Sequence, residues 1–315
     1  MWLQARMYFL IALMFAIVYA MVIVIARYAG VTNFYVYAVI ASVMLIIQYL
    51  IGPKIIEWTM KIKYVSQSEA PELHSMVTEM AEKAGIPKPR VAISEMGLPN
   101  AFAFGRTKKD GRVCVTRGIM NLLTKKELKA VIGHEISHLK NRDVAVITLL
   151  SVIPMICWHL AWSFMFSGRR DRGNAALIGI AAFVLYFVTN LLVLYGSRIR
   201  EYYADKGAVE LGNEPHELAS ALYKLVYGSA TASKAELKAA EGCRAFFAND
   251  PAHAGTDIKE LKALDKDMSG TLDKYELAEL KHRDIKLGTG DKVMELFTTH
   301  PNMLKRIKHL SHLQN

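Results

Sequence analysis

Apolar residues along this chain gather into long runs separated by polar stretches. Residues 8–26, YFLIALMFAIVYAMVIVIA, carry no charge over a length that crosses a bilayer at about 1.5 Å per residue. A second run, 34–52, follows after a short polar turn. The first run has no small-residue cleavage site and leads straight into the second, which predicts a retained anchor and not a signal peptide. Two further runs, 144–166 and 175–196, flank the polar SGRRDRGN and contain Pro154, His159 and Asn190. Their polar content makes them less typical spans, and a buried or re-entrant hairpin is the alternative.

The polar segments, 54–143 and 197–315, change period. PELHSMVTEMAEKA predicts a helix opening at Pro71 and stopped by Gly85 and the following PKP. Short β-like pieces come next: RVAISE, NAFAFG and VCVT, the last two joined by a KKDGR turn. Thr124 and Glu127 then form a capping-box pattern opening KKELKAVIGHEISHLKNR as a helix.

Composition narrows the class. The net charge of +10 raises nucleic acid as a partner, but the polar segments lack a basic helix or aromatic–basic interleaving. With 52% apolar residues, basic flanks held against anionic lipid are the better reading, and no nucleic-acid partner is expected. Cys114, Cys157 and Cys243 are widely spaced and odd in number, so they form neither a disulfide framework nor a zinc quartet. Arg6, Lys54, Lys61, Lys63, Lys140, Arg142, Arg198, Arg200 and Lys206 fall on one side of the expected spans; Arg27, Arg169, Arg170 and Arg172 fall on the other. The larger set places the termini and the polar mass in the cytoplasm of a multi-pass cell-membrane protein, with the three hairpin arginines as a counter-signal.

The chemistry concentrates in GHEISH. His134 and His138 are four apart, so a helix projects both imidazoles from one face, a spacing that grips one zinc ion. Glu135 lies about 100° round the helix, placed to take a proton from the attacking water. Two solvated histidines on an ordinary amphipathic helix are the bland alternative. Ala130, Val131, Ile132 and Ile136 argue for a deeply packed helix instead, where unpaired histidines are costly. A third ligand is needed, and SRIREYYADKGAVEL offers Glu201, with Asp205 four residues on to hold a ligand histidine. Taken alone, that stretch reads equally as a solvated helix with ion pairs.

Together with the leading spans, NAFAFG, HEISHLKNRD, EYYADKGA, NEPHELASALYKL and LFTTHPNMLKRI resemble the HtpX-type membrane zinc metalloproteases, more distantly related to the CAAX prenyl proteases. The resemblance covers nearly the whole chain. It implies an α+β fold, mainly α with a small β-sheet: a four-helix transmembrane region (8–52 and 144–196) plus a zincin-like metalloprotease domain (54–143 and 197–315). It implies one Zn²⁺ held by His134, His138 and Glu201, Glu135 as general base, and Asp205 behind the ligands. Asn100, Ala101, Phe102 and Ala103 resemble an edge strand that pairs with an extended substrate backbone. THP with Arg306 resembles a C-terminal motif in which His300 stabilises the oxyanion and Arg306 orients acidic groups around the metal; by sequence alone, His300 reads equally as a helix-entry residue. The implied function is quality control, cleaving misfolded or damaged membrane proteins or other unfolded polypeptides.

One stretch departs from that pattern. Within the long segment 228–292, LDKDMSGTLDKYEL places Asp265, Asp267, Ser269, Asp273 and Glu276 at positions 1, 3, 5, 9 and 12 of a loop, with Gly270 at the sharp turn and Thr271 offering a carbonyl. These are EF-hand Ca²⁺ positions, flanked by DIKELKAL and KYELAELKHR as entering and leaving helices. A charged helix–turn–helix that binds nothing is the alternative. The absence of a second loop predicts weak binding.

A catalytically silent membrane scaffold or calcium-responsive adaptor is the competing function, and the intact Glu135 argues against it. Physiological substrate, cleavage preference, self-cleavage and homo-oligomer formation are not legible in the sequence.

Overall fold

The computed structural model describes residues 53–166, 172–233, 261–283 and 288–314, with Ile46, Leu50, Ile51 and Ile258 as single positions. The expected spans at 8–26 and, but for three residues, 34–52 lie outside the described residues. The chain divides into two units: Pro53–Val144 with everything from Arg200 onward, and a separate unit containing Ala145–Ile199.

In the larger unit, helical residues 53–59 precede strand β1 (Ile62–Tyr64). Helix α1 (Pro71–Ala84) follows, with proline in its first turn and Gly85 closing it at φ 66°. Proline lacks the amide that a helix start leaves idle, and glycine takes the left-handed cap without a Cβ clash. Strands β2 (Arg90–Ser94), β3 (Ala101–Phe104) and β4 (Arg112–Thr116) complete a mixed sheet of order β1-β2-β4-β3. β2 and β4 run parallel; β1 and β3 pair antiparallel at the two edges. Period-2 alternation sends Val91, Ile93, Ala101, Val113 and Val115 into the main core and Ala92, Phe102, Phe104 and Cys114 into a smaller one on the other face.

Short helix α2 (Arg117–Leu122) leads into α3 (Lys125–Asn141), which opens with a reciprocal Thr124–Glu127 capping box. Ala130, Val131, Ile132 and Ile136 are all buried. α3 ends at Arg142 in the left-handed conformation (φ 58°), and helix α4 (Asp143–Phe166) starts immediately. Helix α5 (Arg172–Glu210) runs without a break from the smaller unit into the larger one. Its part from Ala176 to Glu210 is long and apolar enough to cross a membrane, the one such helix among the described residues; the apolar stretch of α4, Ile153–Trp162, is shorter. Within the smaller unit, Leu150, Ile153, Cys157 and Val193 pack together, while Trp162, Leu177, Ile180, Phe183 and Val184 are exposed. An apolar face of that size in water marks contact with another apolar phase.

The larger unit is completed by α6 (Pro215–Ala230), α7 (Lys274–His282), α8 (Thr289–Glu295) and α9 (Met303–Leu313). α6 packs on α3, and α9 packs on both α6 and α7. The fold is mainly helical with a small mixed sheet, as the α+β expectation has it.

Candidate metal centre

Four elements build the site: the middle of α3, the C-terminal part of α5, the start of α9 and edge strand β3. α3 and α5 approach closely because Gly207 lacks a side chain; a Cβ there would stand 2.0 Å from the Ser137 hydroxyl and 2.8 Å from its Cβ. The approach brings His134, His138 and Glu201 together, with one ligand atom from each within 4.8 Å of the others. His134 Nε2 lies 3.5 Å from Glu201 Oε2, His138 Nε2 lies 3.6 Å from Glu201 Oε1, and the two Nε2 atoms stand 3.1 Å apart.

Both histidines are held from behind. His134 Nδ1 is 2.9 Å from Asp205 Oδ1, and His138 Nδ1 is 2.6 Å from Asp143 Oδ2. With the ring proton on Nδ1, each imidazole presents Nε2 as an acceptor beside the Glu201 carboxylate. Three acceptors so crowded repel one another unless a cation lies among them. Two imidazole nitrogens and a carboxylate are a fitting donor set for a divalent metal with an open position.

One buried arginine bridges two of the carboxylates. Arg306 donates from Nε and Nη2 to Asp205 at 3.0 and 2.6 Å, and its Nη1 sits 3.0 Å from Glu201. Burial works against the Arg306 charge, but Asp205 and Glu201 more than offset it and hold its pKa above the ordinary guanidinium value. Burial likewise opposes charge on His134, yet the Asp205 and Glu201 carboxylates push its pKa up to about 10. The cavity therefore attracts positive charge.

Glu135 lies beside this cluster, and the Ala103 amide of β3 donates to its Oε2 at 2.7 Å. Burial raises the Glu135 pKa, with Glu201 adding to it while the two histidines oppose it. Since Ala103 N–H faces Glu135, the backbone groups of Ala103, and of Ala101 two residues before it, face away from β4. Asn100 is fully buried; its carbonyl accepts from the Thr116 amide, and its own amide donates to Thr116 Oγ1. His300 is the most exposed member of the group and brings Nδ1 to 3.3 Å from Glu201 Oε2. Sequence reasoning gave no role to Asp143 or to Arg200, whose Nε lies 3.3 Å from Asp143 Oδ1.

The acidic loop is a separate cluster. Asp265, Asp267 and Glu276 converge to within the same 4.8 Å. Gly270 and Met268 are left-handed, at φ 76° and 55°. Asp265 accepts from the amides of Ser269 and Gly270, and Ser269 Oγ lies 2.9 Å from Thr271 Oγ1. Asp273 and Glu276 cap α7 reciprocally, and Glu276 also accepts from the Lys266 amide.

Comparison with known proteins gives the following similarities. Residues 67–314 match the model of peptidase family M48. A protease HtpX homolog of Methanothermobacter thermautotrophicus is 52% identical over 242 residues, covering 77% of this chain and 93% of that protein. One from Moorella thermoacetica is 36% identical over 320 residues, 99% of this chain and 94% of its own. Among solved structures, Ste24p of S. mikatae superposes with a TM-score of 0.51 at 16% identity, covering 94% of this chain and 62% of that one. At that identity the likeness is one of fold.

Proposed function

This chain belongs to peptidase family M48, and on that premise we propose that it is a zinc endopeptidase whose metal is held by His134, His138 and Glu201. That it is a membrane metalloprotease follows from the family and its HtpX relatives; the metal's identity, the residue roles and the topology are our own reading. The observation that carries it is the convergence of two carboxylate-backed imidazoles and Glu201 beside a buried Glu135.

A metal held by His134, His138 and Glu201 would supply a Lewis acid for the scissile carbonyl and for the attacking water. Glu135 accepts that water's proton and hands it to the leaving amine. An extended substrate adds to the free side of β3, pairing with the outward backbone groups of Ala101 and Ala103, while Asn100 and Phe102 anchor the strand from within. His300, beside Glu201 and still partly exposed, is placed to donate to the developing oxyanion. Arg306 and Asp205 hold the ligands in place.

The substrates are misfolded or damaged membrane proteins and other unfolded polypeptides. In the proposed topology, 8–52 and 144–196 supply four spans of the cell membrane, and 54–143 with 197–315 forms the catalytic domain on the cytoplasmic side. The Asp265–Glu276 loop, in the segment 228–292, takes one weakly held Ca²⁺ through Asp265, Asp267, Ser269, Thr271, Asp273 and Glu276.

Metal replacement tests the first part. Chelation should abolish casein cleavage by the detergent-solubilised chain, and stoichiometric zinc should restore it; cleavage that survives complete metal removal would refute it. Calorimetric Ca²⁺ titration of the full chain, beside Glu276→Gln, tests the loop. No heat at millimolar Ca²⁺ would refute that part.

A further inference from the structure

Asp143 reaches His138 by a route that helical spacing forbids. On a continuous helix a residue five positions on lies about 140° round the axis, on a different face. Here α3 stops at Arg142, whose φ of 58° turns the chain back, and α4 begins at Asp143. The turn brings Asp143 Oδ2 to 2.6 Å from His138 Nδ1. Arg200 then grips Asp143 twice: Nε lies 3.3 Å from Oδ1, and Nη1 donates to the Asp143 carbonyl oxygen at 2.9 Å. Asp143 is buried, and the Arg200 side chain is nearly so.

The site is therefore built twice over. His134 is backed by Asp205, which Arg306 holds; His138 is backed by Asp143, which Arg200 holds. The second pair sits where the chain leaves the larger unit, at Val144, and re-enters it, at Arg200. Helix α5 alone carries Arg200, Glu201 and Asp205. That one helix thus holds Glu201, the carboxylate behind His134 and the arginine that grips Asp143.

Resting on the zinc reading above, we propose that Asp143, clamped by Arg200, is a positioning residue for His138. It fixes the tautomer that presents Nε2 to the metal, and the site's metal affinity depends on it. The carboxylate fixes the orientation of the His138 ring, and Arg200 stops that carboxylate from rotating away.

The test uses the full-length chain in detergent. Zinc affinity is measured by competition with a chromophoric chelator, and ligand geometry by the visible spectrum of the Co²⁺-substituted protein. Asp143→Ala should weaken zinc binding about 10–100-fold and alter the Co²⁺ bands. Asp143→Asn, whose amide oxygen still accepts from Nδ1–H, should recover part of the affinity, and Arg200→Gln should lose several-fold. A merely structural pair would lower the melting temperature and leave both readouts unchanged, which would overturn the proposal. Should Asp143→Ala not fold, Asp143→Asn and Arg200→Gln carry the test, and wild-type affinity in both overturns it. His138→Ala is the control: if it binds zinc as tightly as wild type, the zinc assignment itself fails.

Discussion

Arg306 and Asp205, 101 positions apart in sequence, meet through two side-chain hydrogen bonds in a region where both are fully buried. The same guanidinium also reaches Glu201. One cation from α9 thus bridges two carboxylates on α5.

Replacing Arg306 by Met removes that cation and leaves two buried carboxylates without their shared partner. We expect a loss of about 3–5 kcal/mol in the metal-free protein, and a smaller loss with zinc bound, because the metal supplies part of the missing charge. Arg306→Lys should rescue little, since one ammonium cannot span both carboxylates. Denaturation with and without zinc checks this; equal losses in both states would contradict it.

Gly207 sets the distance between the helices that carry the ligands. A Cβ at that position meets the Ser137 Cβ at 2.8 Å, which rotation of the serine hydroxyl does not relieve. Gly207→Ala should cost about 1–3 kcal/mol and weaken zinc binding by moving Glu201 away from the histidines. Adding Ser137→Gly should recover the affinity, at a helix cost of about 1 kcal/mol. Zinc titration of the single and double variants decides it.

Glu127 ties the start of α3 to α6. It accepts from the Thr124 amide, from Ser220 Oγ at 2.6 Å and from Lys224 Nζ at 2.9 Å. Burial alone would raise its pKa, but Lys224, Ser220 and the Thr124 amide bring it below the model-compound value of 4.5. Its contribution to stability is therefore complete above about pH 4.5 and is lost as pH falls through the lower folded value. Glu127→Gln should cost about 1–3 kcal/mol at pH 7, with the gap to wild type closing in stronger acid. Denaturant curves at several pH values test the direction.

Much of the architecture was legible because the signals were local. Pro71 and Gly85 bound α1, the Thr124–Glu127 pattern opens α3, and His134 and His138 share a face at a spacing helical geometry requires. β1 was missed because three residues, IKY, are too few to show alternation. Composition changes at Gly196, yet α5 continues through it: the surroundings of the helix change there, not its backbone. Asp143 was hidden for a different reason. Its link to His138 depends on one left-handed residue, Arg142, which carries no glycine or asparagine to announce the turn. The nearness of His300 to Glu201 comes from chain segments far apart in sequence, so only the family resemblance pointed to it.

Glu135→Gln offers the most direct test of zinc-dependent proteolysis, because it keeps the side chain's shape and removes only its capacity as a base. The variant should retain a single zinc, with affinity close to wild type, while cleavage of casein and of a membrane-protein substrate falls by at least about 10²-fold. Undiminished proteolysis in the zinc-loaded Glu135→Gln protein would contradict the assignment.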